Sequence, residues 1–333
     1  MREPWTWRNC SIYGRVEIET GWVEADAALI LTPTTQVAHI RHLLGECGAS
    51  PTAQNSARYR HSASFLEDIA RTLHLTFLMS ECWTELTGRV LVLVAHADDE
   101  SIGYGALLQR MRESVVVIAT DGAPQDRFFW ESFGSREAYA AVRREEARRA
   151  TQLVGVRELL LLAKEDSRLE DQRLFLNLAA AYSLLEKVMK RVRPEAIATL
   201  AYEGGHPDHD SCSILGARLG KEFGVPVWEA PLYSRGSDGA MRLQRFLCET
   251  GSECAVDIAD GELERKREMC AQYVSQGNFL LTFDARREMV RPQAKYDYAR
   301  PPHEGVTNYE LWRWWMSAAD VSAKFAEFLE IDN

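Results

Sequence analysis

The chain is predicted to be an α/β protein, and three observations carry that expectation. From Arg89 onward, short apolar runs alternate with longer stretches of helical pattern, the rhythm of βαβ units around a parallel sheet. The runs lack polar alternation, as expected of strands covered on both faces. Pro194 and Gly224 fall where helices would stop. The architecture implied is a Rossmann-like, mostly parallel sheet flanked by helices, with an N-terminal extension and a C-terminal α+β extension.

Taken in order, the expected strands are Val90 to Ala95, Val115 to Thr120, Glu158 to Ala163, Ala196 to Ala201 and Val225 to Glu229. The helices expected between them are Gly103 to Met111, Ser135 to Leu153, Gln172 to Val192 and Asp208 to Phe223. After Pro231 the pattern changes to two strands, Arg242 to Glu249 and Ala255 to Ile258, then helices at Glu262 to Ser275 and Ala318 to Leu329. No long polar linker intervenes, so these belong to one domain, 86–333. Residues 1–85 form an extension or cap of unassigned role, with a strand at Tyr13 to Glu19, helices at Thr35 to Leu44 and Phe65 to Leu73, and a polar loop from Gly48 to Arg60.

Chemistry concentrates where two of the strands end. The run Arg89 to Val94 stops abruptly in Ala95-His96-Ala97-Asp98-Asp99-Glu100, and Ala196 to Ala201 leads into His206-Pro207-Asp208-His209-Asp210. Open α/β sheets place ligands just outside the carboxyl ends of their strands. Taken alone, the Asp-Asp-Glu triplet reads as readily as a solvated turn or helix start as it does as a site. Paired with the second segment, it suggests a metal site. Imidazole and carboxylate suit zinc, and a catalytic zinc takes three protein ligands and leaves a position for water. His96, Asp99 and His209 would supply that set. Asp98 would accept a proton from the water, and His206 would polarise or protonate the substrate.

These motifs resemble those of the PIG-L/LmbE-like zinc-dependent deacetylases, which act on N-acetylglucosamine-containing substrates. Members carry Ala-His-Pro-Asp-Asp-Glu and, later, His-Pro-Asp-His. The second is intact at His206 to His209, and the first has Ala97 in place of proline, which contributes no ligand atom. The resemblance assigns Zn2+ to His96, Asp99 and His209, the general base to Asp98, oxyanion or leaving-group assistance to His206, and the orientation of His206 to Asp208. Weaker matches are Thr120-Asp121-Gly122, Arg143-x-x-Glu146-Ala147 before Val154-Gly155, Tyr273-Val274-Ser275-Gln276, and Tyr296-Asp297-Tyr298-x-Arg300-Pro301-Pro302-His303. The resemblance therefore runs from about Arg89 to the C-terminus. Asp121, Arg143, Trp130 and His303 are candidate substrate contacts. The implied activity is removal of an N-acetyl or related acyl group from an acetamido sugar or its conjugate. Hydrolysis of another amide or ester bond, or non-catalytic binding on a retained fold, are the alternatives.

Composition narrows the partners. A chain of 333 residues, 46% hydrophobic, can bury a sizeable core, and a net charge of −10 argues against a nucleic-acid or anionic-membrane partner. The expected partner is a small acetamido-sugar molecule. Seven cysteines without a CxxC pair fit reduced thiols. With no signal-peptide pattern at the start and no membrane-length apolar run, a cytoplasmic location is expected. Cys212 reads as helix packing rather than an extra ligand. His39, His42, His61 and His74 read as ordinary surface or core histidines. Phe128-Phe129-Trp130 and the group Tyr309, Trp312, Trp314 and Trp315 carry two readings each, substrate contact or core. Gly103-Tyr104-Gly105 is too short for a dinucleotide fingerprint.

Overall fold

The computed structural model describes residues 82–330, together with the backbone of an antiparallel pair, β1 (Arg15–Ile18) and β2 (Gly21–Glu24). The chain divides into residues 1–71, which hold this pair, and residues 72–333. The helices expected at Thr35 to Leu44 and Phe65 to Leu73, the loop at Gly48 to Arg60 and the four N-terminal histidines lie outside the described residues.

Five parallel strands form the centre of the second unit: β3 (Arg89–Val94), β4 (Glu113–Ile118), β5 (Glu158–Leu161), β6 (Ala196–Leu200) and β7 (Val227–Ala230). Their spatial order is β7-β6-β3-β4-β5. The chain therefore winds outward from β3 in one direction, then returns to add β6 on the other side. Val90 to Val94 and all of β6 are buried, which is why these segments read as continuous apolar runs. The winding reverses between β3 and β6, and such a switch point opens a crevice at the carboxyl ends of the strands.

The helices between strands are α1 (Asp99–Tyr104), α2 (Arg136–Leu153), α3 (Leu178–Val192) and α4 (Pro207–Phe223). Two differ from expectation. The helix after β3 begins at Asp99 rather than Gly103, and Leu107–Gln109 is only a 3-10 turn. The helix expected from Gln172 is preceded by a separate 3-10 turn at Leu174–Leu176, because Leu174 donates its N–H to the Asp208 carboxylate instead of to a preceding turn.

The C-terminal part adds β8 (Tyr233–Arg235) and β9 (Met241–Leu243) as a hairpin, where one longer strand was expected after Arg242. Next come β10 (Cys254–Ala255), α5 (Asp260–Ala271), β11 (Met289–Pro292) and α6 (Ala318–Glu330). The sequence reading missed β11. It runs antiparallel to β7 on one side and to β10 on the other, extending the sheet to seven strands. Its Arg291 is buried against the Glu229 carboxylate at 2.8 Å, so this strand carries a charge that masks its apolar pattern.

The cysteines are not all thiols. Cys82 and Cys254, 172 residues apart, are joined by a disulfide, whereas Cys212, Cys248 and Cys270 are free. Cys212 is fully buried in the core, packed as a small apolar side chain. No helix among the described residues is long and apolar enough to cross a membrane.

Candidate metal and catalytic site

Strand β3 delivers its last apolar residue at Val94, and the turn from Ala95 to Asp98 swings polar side chains to the carboxyl edge of the sheet. Asp98 sits at φ 120°, a region L-residues rarely occupy. Such a conformation costs roughly 1–3 kcal/mol and persists only where neighbours hold it. Here Arg143 of α2 does so: its Nη2 lies 3.0 Å from Asp98 Oδ2 and also donates to the Ala97 carbonyl, while Nη1 reaches the Gly122 carbonyl at 2.8 Å. Arg143 is therefore committed to the Asp98 turn. Burial, opposed by this guanidinium, pushes the Asp98 carboxyl up to about 8.

Asp99 opens α1. Its Oδ2 accepts the His96 N–H at 2.8 Å and lies 3.5 Å from His96 Nδ1, and its Oδ1 lies 3.3 Å from His209 Nε2. Against the effect of burial, His209 and His96 hold the Asp99 carboxyl well below its ordinary range. The ligand-type atoms of His96, Asp99 and His209 lie within 4.8 Å of one another, all in buried side chains.

The second motif arrives on α4. Pro207 occupies the first turn, where a missing N–H is harmless, and His206 is the N-cap, its Nδ1 accepting the Asp208 N–H at 3.1 Å. Gly205 just before it packs so closely on the Tyr233 carbonyl that a Cβ would collide with it. From this start, His209 projects toward Asp99. The Asp208 carboxylate turns the other way. Its oxygens accept the N–H groups of Gln172 at 2.7 Å and Leu174 at 3.0 Å, and Oδ2 faces His96 Nε2 at 3.2 Å. Asp208 thus holds His206 through its backbone N–H, while its carboxylate orients His96, the pattern by which a carboxylate fixes a ligating imidazole.

The sequence reading did not include Asp171. Its Oδ1 lies 3.4 Å from His206 Nε2 and 3.6 Å from His96 Nε2, and with His96, His206 and Asp208 it forms a second cluster of ligand-type atoms. The residue stands in a loop after β5, followed by Gln172 at φ 66°. An Asp next to a residue in that conformation is the only local signal, and it is weak. Against burial, His96 and His206 hold the Asp171 carboxyl well below its ordinary range. The pKa of His206 is lowered by burial and by neighbouring His96. The pKa of His96 is raised in spite of burial by Asp171, Asp208 and Asp99.

The remaining candidates stand further out. Asp121 accepts the Asp171 N–H at 3.0 Å and pairs with Arg136 at 2.8 Å, so it fixes the loop that carries Asp171. Trp130 donates to the Pro124 carbonyl and packs on the small cluster of Ala123, Tyr139 and Ala140, while Phe128 points into solvent at 82% exposure. His303 accepts the Gly305 N–H within its own loop. The late segment at Tyr273 braces α1 and α2. Tyr273 donates to Glu100, and Ser275 donates to Glu146 at 2.9 and 2.5 Å. Trp314 is close to the cluster, its ring centroid 4.8 Å from that of His206.

The donor set suits a divalent metal. His209 Nε2 and Asp171 Oδ1 are buried without a hydrogen-bond partner, and buried polar atoms ordinarily have one. A cation bound between His96, Asp99 and His209 would satisfy His209, while leaving the Asp208-bound nitrogen of His96 undisturbed.

Comparison with known proteins finds similarity over the same residues. Residues 91–219, which include every residue of both clusters, match the family model described as "PIG-L: GlcNAc-PI de-N-acetylase". The chain is 30% identical over 128 residues to the probable N-acetyl-alpha-D-glucosaminyl L-malate deacetylase 2 of Bacillus subtilis, covering 37% of this chain and 56% of that protein. It is 28% identical over 274 residues to the 1D-myo-inositol 2-acetamido-2-deoxy-alpha-D-glucopyranoside deacetylase of Kineococcus radiotolerans, covering 66% of this chain and 74% of that one. The chain thus spans little more than half the length of the Bacillus relatives it matches. Among solved structures, a deacetylase of teicoplanin biosynthesis aligns with 63% of this chain and 99% of its own at a TM-score of 0.49 and 18% identity. Over residues 91–219, which carry both histidine motifs, the chain is similar to the PIG-L de-N-acetylase family.

Proposed function

We propose that this protein is a zinc-dependent N-deacetylase that hydrolyses the acetamido group of an amino sugar or sugar conjugate. The observation that carries the reading is the convergence of buried His96, Asp99 and His209 within 4.8 Å at the switch point of the sheet. Strained Asp98 stands beside them and is not needed as a ligand. When bound by these three side chains, zinc would supply Lewis acidity toward the acyl oxygen and acidify water.

The protein's own groups divide the remaining work. Arg143 engages Asp98 Oδ2, which leaves Oδ1 as the oxygen that takes a proton from the attacking water. The proton it takes is then released to the departing amine nitrogen, so the one carboxyl group serves first as base and then as acid. The products balance as a carboxylic acid and a free amine. Neutral His206 accepts the Asp208 N–H at Nδ1, so its own proton sits on Nε2. There it serves as a donor to the developing oxyanion, with the ring held at its other nitrogen by the Asp208 N–H.

The test is to load the purified protein with zinc and measure amine release from N-acetylglucosamine and its glycosides, beside matched ester and thiol-conjugate amide substrates. Release of amine from the acetamido sugars, abolished in His209→Ala, is the expected result. Hydrolysis confined to the ester or thiol conjugate would transfer the site to another bond, and metal binding without turnover of any substrate would make it a binding protein.

A further inference from the structure

A continuous series of aromatic rings leads from the histidine cluster to solvent. Tyr233 of β8 packs edge-on to His209, ring centroids 5.1 Å apart, and Trp314 packs on His206 at 4.8 Å. From Tyr233 the series branches. One arm passes to Phe279 at 5.8 Å and on to Phe283 at 5.1 Å, and the other to Trp312 at 6.2 Å, which in turn meets Trp314 at 5.4 Å. Tyr233 is buried at the base, whereas Phe279 and Trp312 are 39% and 41% exposed. Rings that served only as core filler would be covered, whereas Phe279 and Trp312 stay partly open on a series that begins at the histidines, as expected of a binding face.

We infer that these rings bind an apolar group, aryl or alkyl, carried by the acetamido substrate, so that the compound hydrolysed is a hydrophobic conjugate rather than the free sugar. The inference rests on the deacetylase reading for what lies at the histidines, and on ring geometry alone for what lies beyond them. Five aromatic side chains from three separate segments converge there: β8, the short helix Gly277–Leu280 with the loop after it, and the loop after the short helix Asn308–Leu311. No arginine or lysine is among them, so a phosphate or carboxylate would find no counter-charge from these rings. A bare sugar would stack on one ring face and leave the others exposed. An aryl or alkyl group is matched to all of them, because aromatic faces take flat or flexible apolar matter with little orientation demand.

The apolar group has two possible points of attachment, the glycosidic oxygen or the acyl carbon, and the measurement separates them. Affinity is read by titration calorimetry on the zinc-loaded full chain, with three probes: methyl N-acetylglucosaminide, octyl N-acetylglucosaminide, and methyl N-octanoylglucosaminide. One octyl probe is expected to bind at least tenfold more tightly than the methyl N-acetyl compound, and which of them does so identifies the attachment. In Trp312→Ala and Phe279→Ala, both at partly exposed positions, that ratio should fall to within about threefold of unity. Equal affinity for all three probes in the unaltered protein overturns the inference and leaves the rings as a sugar platform or as packing. A preserved ratio in both variants overturns it as well, since the apolar group would then bind elsewhere. If the octyl preference is present but no probe releases an amine or an acid, the deacetylase reading fails and the apolar site stands.

Discussion

Asp171 Oδ1 lies 3.4 Å from His206 Nε2, with both side chains buried. The same oxygen also faces His96, so one carboxylate outside both motifs influences two of their histidines. Asp171→Asn keeps the size and removes the charge. Metal content by elemental analysis should hold, while kcat/KM falls roughly 10- to 100-fold, the scale of losing a supporting carboxylate. Full turnover in this variant would reduce Asp171 to loop packing.

The three proposed ligands make a separable claim. His96→Ala and His209→Ala should each lose most of the bound zinc, and dialysis against a chelator should remove both metal and activity, with activity returning on addition of zinc. Asp98→Asn should keep its zinc and lose roughly 10²-fold or more in turnover, as expected of a proton-transfer group. Loss of metal from Asp98→Asn would make Asp98 a ligand.

Arg143 and Asp98 form a sealed pair, 6% and 4% exposed. Above about pH 8, where the Asp98 carboxyl is charged, removing the guanidinium leaves that charge buried and uncompensated, a loss of about 3–5 kcal/mol. Urea unfolding of Arg143→Met should show a drop of that size, and adding Asp98→Asn to it should restore part. A drop near 1 kcal/mol, about the value for a solvated pair, would mean the turn holds its shape without the guanidinium.

Glu203 supplies a pH-dependent stability. Burial pushes its carboxyl up to about 8, from an ordinary 4.5, although the Leu247 N–H favours the charged form. The folded protein therefore keeps a proton that the unfolded chain gives up. Stability is unaffected by this group below about pH 4.5 and falls as pH rises toward 8. Glu203→Gln should not share the decline. The Tm of the variant minus that of the unaltered protein should grow between about pH 5 and pH 8; a constant difference would place the proton elsewhere.

The sheet was legible because its central strands are buried on both faces, so apolar runs such as Val90 to Val94 mark their own positions. Strand β11 was not, because Arg291 and Pro292 interrupt the pattern and its pairing with β7 joins segments far apart in the chain. Helix starts shifted where a side chain from afar captured a backbone N–H, as Asp208 does at Leu174.

By itself, the sequence determined that one imidazole and several carboxylates would follow a buried strand, and that a second histidine pair would follow another. Adjacent residues travel together, so each half of the site is a local property. Only the tertiary structure decided how the halves meet. The reversal of winding between β3 and β6 brings His209 to Asp99, and the loop after β5 places Asp171 against His206. It also turned the Asp208 carboxylate to His96, engaged Arg143 with Asp98 rather than leaving it open to a substrate, and gathered Tyr233, Phe279 and Trp312 beside the histidines. These contacts join segments dozens of residues apart. A side chain's direction there is set by what packs against it, which neither spacing nor periodicity along the chain records.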